Sequence, residues 1–104
     1  MASKAIIKDI RNFAQQVVDC GVSLRKVILF GSYSSNTQNK NSDIDVALVA
    51  DEFTGVPSED VKLFLKALRN YYIVQPQTFN PSQFSAKTDP FVETIIRTGI
   101  EVKL

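Results

Sequence analysis

The chain is 104 residues long, with 44% hydrophobic and 22% charged residues, the balance of an ordinary globular protein. This length predicts one domain, residues 1–104, and argues against a second catalytic or substrate domain within it. The net charge of +1 argues against stand-alone binding of nucleic acid, and the absence of histidine excludes His-based acid–base chemistry and His metal ligands.

The sequence also lacks the signals of export and membrane insertion. No apolar run approaches the roughly 20 residues of a membrane-spanning helix, and the N-terminus shows no signal-peptide h-region. The single cysteine, Cys20, excludes an intrachain disulfide, and its place beside Val17 and Val18 predicts a half-buried structural thiol. We therefore expect a cytoplasmic protein without membrane contact.

Residues 3–20 predict an amphipathic helix with one face in the core. Ser3 is its expected N-cap, and Gly21 is its expected end. The apolar stripe recurs at helical spacing and consists of Ile6, Ile10, Phe13 and Val17, broadened by Ile7, Ala14 and Val18. Two short apolar runs follow at residues 25–30 and 44–50, and each predicts a strand.

A second helix is predicted from about Glu59 to Asn70. Ser58 is its expected N-cap, and the acids Glu59 and Asp60 suit the positive end of the helix dipole. Its expected buried face consists of Val61, Phe64, Leu65 and Leu68.

The last third of the chain predicts a strand, a helix and a short edge strand. The strand covers Tyr71–Phe79, where Pro76 indicates an edge strand or a bulge and alternation places Gln75 on one face. The helix is expected to begin at Pro90 and to end at Gly99. Its expected buried face consists of Phe91, Val92, Ile95 and Ile96. Residues 100–104 predict the final edge strand.

The residues between the first two strands carry the chemistry. Gly31 allows a sharp turn and a close approach of a ligand, and Ser32 offers a hydroxyl and an N–H where a helix N-terminus would attract phosphate. Asp43 and Asp45 are two apart, so both point to one face, where they suit Mg²⁺. Gly-Ser alone is commonly a plain turn and Asp-x-Asp alone is commonly a loop-edge pair. Their combination between two strand-length apolar runs favours a functional site.

This pattern of Gly31-Ser32, ten residues and Asp43-x-Asp45, with Ser42 before the first aspartate, resembles the nucleotidyltransferase superfamily of the DNA polymerase β type. The short chain is similar to the minimal nucleotidyltransferases of prokaryotes. The resemblance implies an α/β (α+β) nucleotidyltransferase fold, a small mixed β-sheet with helices packed against it. Members often act beside a helical HEPN-type protein partner, some of them as antitoxins.

The resemblance also implies the role of each site residue. Gly31, Ser32 and Ser42 would bind the phosphates of a nucleoside triphosphate. Asp43 and Asp45 would be the catalytic carboxylates and the ligands of Mg²⁺. The implied reaction transfers a nucleoside monophosphate, AMP from ATP, to a hydroxyl acceptor on a partner protein.

Two departures from the family pattern bear on catalysis. Many members carry Arg and Gly three and four places after the motif serine, where this chain has Ser35 and Asn36. Relatives also supply a third carboxylate from the third strand, and by that alignment Gln75 stands in its place. A neutral amide has no useful basicity, so the second metal of a two-metal site loses its carboxylate.

Three outcomes follow from Gln75 and lead to two hypotheses. Another acid fills in, with Glu59, Asp60 and Glu101 as the candidates; the acceptor chain completes the site; or the domain is a degenerate enzyme that works by binding. The first hypothesis is an active Mg-dependent nucleotidyltransferase. The alternative is a catalytically impaired, antitoxin-like module that pairs with a HEPN-type partner. Base preference and acceptor stay open, and a homodimer is compatible with the sequence.

Overall fold

Four strands form one mixed sheet in the computed structural model, which describes residues 4–31 and 43–104. The strands are β1 (Leu24–Phe30), β2 (Ile44–Ala50), β3 (Val74–Phe79) and β4 (Ile100–Glu101). They lie in the order β3-β2-β1-β4, with β1 antiparallel to β2 and to β4, and β2 parallel to β3. The predicted small mixed sheet is confirmed, and the third strand is an edge of it among the described residues.

The helices cover both faces of this sheet. They are α1 (Lys4–Asp19), α2 (Pro57–Asp60), a 3₁₀ turn (Val61–Phe64), α3 (Leu65–Asn70) and α4 (Pro90–Thr98). On one face, α1 and the segment from α2 to α3 pack against Ile44, Val46 and Leu48 of β2. On the other face, α4 packs against the alternate residues Ala47 and Val49. The central strand β2 is therefore buried on both sides, because its side chains alternate between two cores.

The first helix forms as its apolar spacing predicts. Ile10, Phe13, Ala14 and Val17 are buried on its inner face, and Gly21 follows the helix with a φ of +98°, which glycine adopts without steric cost. Cys20 is exposed, so the predicted half-buried thiol is wrong. The residue lies after the last helical turn, outside the stripe that faces the sheet.

The segment predicted as one helix over residues 59–70 is interrupted. Phe64 has φ −137° and ψ 35°, outside the helical region, and its buried ring packs edge-on against Phe13. This packing divides the segment into α2, the 3₁₀ turn and α3. Ser58 is not a helix N-cap, because α2 already begins at Pro57 and its N-cap is Val56. Leu65 is exposed, although it was expected to be buried.

The C-terminal elements follow the prediction with one difference in the buried face. The Asp89 side chain caps α4 by accepting a hydrogen bond from Phe91 N (2.9 Å), and Val92 and Ile95 are buried. Phe91 and Ile96 are exposed, although both were expected in the core. A nine-residue helix on one sheet face buries a narrower stripe than the four positions that the sequence offers.

The carboxylate of Asp60 joins α2 to the preceding loop and to β3. It is 2% exposed, and it accepts hydrogen bonds from Thr54 N (2.8 Å), Gly55 N (3.0 Å) and Thr78 Oγ1 (2.7 Å). Burial alone would raise the pKa of Asp60, but these bonds and one from Thr54 Oγ1 together hold the pKa below its ordinary value. Asp60 is therefore a structural acid.

Replacing Asp60 with alanine should lower the free energy of unfolding by about 3 kcal/mol, because buried donors lose their acceptor. Denaturant unfolding checks this, and Glu59→Ala is the matched control, since Glu59 is an exposed neighbour paired with Lys62. Because the pKa of Asp60 is lower in the folded state than in the unfolded state, its ionisation stabilises the fold. This contribution is complete above the unfolded-state pKa near 3.8, and it is lost as the pH falls through the folded-state pKa. The variant should lack this acid-dependent loss. Equal effects of the two substitutions would contradict the structural role.

Candidate functional site

Gly31 and Asp45 meet at the end of the β1–β2 hairpin. The antiparallel register pairs Phe30 with Asp45, so the residue after Phe30 passes directly beside the carboxylate. Gly31 has a φ of +75°, and a Cβ built there would overlap Asp45 Oδ2 and lie 3.2 Å from its Cγ. The position therefore requires glycine for its backbone conformation and for its contact with Asp45. Ser32, Ser42, Ser35 and Asn36 lie outside the described residues.

Asp43 and Asp45 interact electrostatically at the start of β2. Asp43 directly precedes the strand and is exposed, whereas Asp45 is half-buried. The pKa of Asp45 is raised, first by its burial and then by repulsion from Asp43. A cation bound here would stabilise the ionised form of Asp45.

Gln75 lies on the strand next to this pair. The parallel register pairs Asp45 with Gln75, Val46 with Pro76 and Ala47 with Gln77. Since directly paired residues share a sheet face, Gln75 and Asp45 are on the same side. The structure therefore brings a neutral amide, not a third carboxylate, to the first two acids.

The three acids considered as replacements lie elsewhere. Glu59 pairs with Lys62 on the surface (3.3 Å), and Asp60 is committed to its own hydrogen-bond network. Glu101 is on β4, at the opposite edge of the sheet, and pairs with Lys103 (3.2 Å). Within residues 4–31 and 43–104, no three His, Cys, Asp or Glu side chains come together as a metal site. The expectation that another acid of this chain fills in finds no support among the described residues.

The donor set of the site fits one hard divalent cation. Two carboxylates supply the oxygen ligands and the negative charge that Mg²⁺ prefers. The pKa of Asp45 is raised by burial and by Asp43, and a bound cation would offset both causes. The amide oxygen of Gln75 adds a neutral donor beside them. A second cation would be bound by less negative charge here than in a site with three carboxylates.

Phe91, which was expected in the core, lies near the candidate site. The Phe91 ring packs edge-on against Phe30, with centroids 5.7 Å apart, and Phe30 is the residue paired with Asp45. Phe91 is nevertheless 43% exposed. An aromatic surface therefore stands near the carboxylates, and its sequence signal, an aromatic residue just inside a helix N-terminus after Pro90, is shared by ordinary core helices.

Comparison with known proteins agrees with this geometry. The family model described as "Nucleotidyltransferase domain" matches residues 7–97. The chain belongs to the nucleotidyltransferase domain family. No curated protein matches the chain significantly, and no described helix is long and apolar enough to cross a membrane.

Two solved structures share the nucleotidyltransferase fold with this chain. One is described as a toxin–antitoxin with AMP-PNP and is 22% identical, with a TM-score of 0.63. The other is a mutant of the toxin–antitoxin MntA-HpeT and is 20% identical, with a TM-score of 0.61. Each alignment covers 89% of this chain and 71% of the other chain. The predicted nucleotidyltransferase fold is confirmed.

Gly31→Ala in this nucleotidyltransferase domain should destabilise the fold more than Gly21→Ala. Both glycines have positive φ, which costs a residue with a Cβ about 1–2 kcal/mol. At Gly21 the added Cβ meets nothing within 4 Å, whereas at Gly31 it meets Asp45, adding about 1–3 kcal/mol. Denaturant unfolding of both variants measures the difference.

The Asp45→Ala background provides the control, because it removes the atoms that the new Cβ would overlap. Gly31→Ala should then cost about as much as Gly21→Ala. If the cost of Gly31→Ala stays the same in that background, the close contact between Gly31 and Asp45 is not the reason for the glycine.

Proposed function

We propose that this chain transfers AMP from ATP to a hydroxyl group on a partner protein. The observation that supports the proposal best is the arrangement of Gly31 and Asp43 around Asp45, whose pKa is raised by burial and by Asp43. A nucleoside triphosphate bound with a divalent cation matches such a site in charge, because the cation offsets both the carboxylates and the phosphates. We also propose that the reaction takes place in the cytoplasm.

The chain's residues would bind and orient the substrate. Asp43 and Asp45 would hold Mg²⁺, which when bound supplies positive charge to the phosphate oxygens. Gly31, which packs its backbone against the Asp45 carboxylate, would bring the turn close to the phosphates. Ser32 and Ser42, as flanking residues of the same connection, are our proposed phosphate-binding hydroxyls.

In the proposed reaction, the acceptor oxygen forms a bond to the α-phosphorus of ATP while the bond from that phosphorus to the β-phosphate oxygen breaks. Pyrophosphate leaves with the electron pair of the broken bond, and the acceptor releases its proton. Gln75 cannot take this proton, because an amide is not a base at neutral pH. The proton passes to water or to a base that the acceptor protein itself provides.

The structural neighbours support the nucleotide and the partner in this proposal. One was solved with AMP-PNP, an analogue of ATP, and both are described as toxin–antitoxin complexes. The mutant neighbour carries two aspartate-to-glutamate changes two positions apart, which is the spacing of Asp43 and Asp45. By analogy we propose a protein partner of the helical HEPN type.

One observation favours a second function, that of a non-catalytic binding module. Gln75 is in register with Asp45 where a third carboxylate would complete a two-metal site. A chain that binds Mg-nucleotide but transfers it poorly would act by covering its partner, as an antitoxin-like protein does. Nucleotide binding without transfer to the bound partner would distinguish this function from catalysis.

Calorimetric titration with ATP, with and without Mg²⁺, tests the proposed site first. Binding should be at least about tenfold tighter with Mg²⁺, a difference of about 1.4 kcal/mol, because the cation relieves the repulsion at Asp45. Asp43→Asn should remove most of this Mg²⁺ dependence. Asp9→Asn removes the same charge from an exposed position on α1 and should change nothing. Unchanged Mg²⁺-dependent binding by Asp43→Asn would rule out the assigned site.

Gln75→Glu should restore a third carboxylate beside Asp45. Without metal, the new charge should raise the pKa of Asp45 further, and with Mg²⁺ it should tighten metal binding about tenfold. Carboxyl NMR titration and calorimetry measure the two effects. The matched control is Gln77→Glu, which adds the same charge to the same strand face opposite Ala47. Equal responses of the two variants would show that Gln75 does not occupy the third-acid position.

A further inference from the structure

A groove runs between the segment from α2 to α3 and the outer edge of β3. Its volume is about 530 Å³, and its walls present large apolar side chains to solvent. Tyr72 is 80% exposed and Leu65 is 43% exposed, and the partly buried Val61 and Leu68 also line the groove. Apolar surface of this kind on a small domain commonly marks an interaction site.

The groove and the candidate site lie on different faces of the sheet. The helical wall of the groove packs on the face of Ile44, Val46 and Leu48, whereas Asp45 alternates with these residues along β2 and shares the face on which α4 packs. The edge strand β3 borders both, since Gln75 lines the groove and is paired with Asp45 across the β2–β3 ladder. An occupant of the groove therefore has no need to contact the carboxylates.

The charge of the groove indicates the chemistry of its occupant. Arg69 is the single charged residue among its described lining residues. No carboxylate of residues 4–31 and 43–104 forms an ion pair with Arg69. An occupant that combines apolar side chains with one acidic residue would match this surface.

The backbone of β3 argues against an added strand as the occupant. Ile44 N donates to Ile73 O (2.9 Å), so alternate residues from 73 onward direct their backbone groups towards β2, and Pro76 directs its own towards the open edge. Proline has no N–H, so a strand added here would lose a central hydrogen bond. The groove therefore suits side chains inserted from a helix.

A second copy of the same face is also a poor occupant. A symmetric dimer would place this surface against itself, and each Arg69 would then meet a groove without a carboxylate. Both guanidinium groups would lose their hydration without gaining an ion-pair partner, which costs binding free energy.

We propose that this groove binds an amphipathic helix of a partner protein. Its apolar face would pack on Leu65 and Tyr72, and an acidic residue would pair with Arg69. Helix binding by the groove does not depend on the proposed transfer of AMP.

The probe is a phage-displayed library of amphipathic helices of about five turns. Leucines are fixed at i, i+3, i+4 and i+7, and the flanking positions are randomised. Selected helices should carry an acidic residue at a constant offset from the leucines. When the peptides are added to the ¹⁵N-labelled chain without nucleotide, the amide signals that shift should be those of the groove, from Val61 to Arg69 and from Tyr72 to Gln77.

Two variants and one control make the test specific. Arg69→Glu should weaken binding of the selected acidic helices about fivefold, or about 1 kcal/mol. A new selection against this variant should yield helices that carry a basic residue instead. Tyr72→Asp should abolish binding, since its apolar contact is lost. Ile96→Glu alters an equally exposed apolar residue outside the groove and should leave binding unchanged.

The proposal is overturned if no helix is enriched, if the enriched helices carry no acidic residue, or if the shifted signals lie outside the groove. Binding of phosphatidylserine vesicles that depends on Arg69, without binding of any helix, would instead indicate a lipid surface. Because these measurements contain no ATP, their failure is separate from a failure of Mg²⁺-dependent nucleotide binding.

Discussion

The burial of β2 on both faces determines where this domain can carry charge. Ile44, Val46 and Leu48 enter one core, and Ala47 and Val49 enter the other, so an ionised group within the strand would lose its hydration. Asp45 is the only residue of β2 that is partly exposed. Asp43 lies just outside the N-terminal end of the strand and Asp45 just inside, and the raised pKa of Asp45 is the cost of this position. The geometry of the site therefore follows from the requirements of the core.

Local sequence predicts the parts of the site that depend on local geometry. Gly31 after an apolar run predicts the turn, and the spacing of Asp43 and Asp45 predicts a shared face, since strand periodicity requires no tertiary information. The pairing of Gln75 with Asp45 depends on a register between strands separated by a helical segment. A resemblance to a family predicted that position, whereas composition and periodicity alone could not fix the register.

The wrong predictions concern side chains whose fate depends on tertiary packing. Phe64 breaks a helix that propensity favours because its ring gains a place among Phe13 and Phe53. Phe91 and Ile96 lie at helical spacing with buried neighbours, but the sheet face beneath α4 is too narrow to cover them. The sequence predicts Asp60 to be a first-turn acid, whereas its carboxylate is buried and bonded by Thr54, Gly55 and Thr78. Each outcome depends on packing between elements, which helical spacing does not contain.

The neutral side chain at Gln75 decides what the two carboxylates can do by themselves. A carboxylate there would lie next to Asp45, whose ionisation is already opposed by burial and by Asp43, and would raise the cost of the metal-free state. An amide avoids this cost but provides neither a second metal ligand of full charge nor a base. The transfer proposed above needs both. If the proposed acceptor brings its own acid or base, turnover depends on the partner.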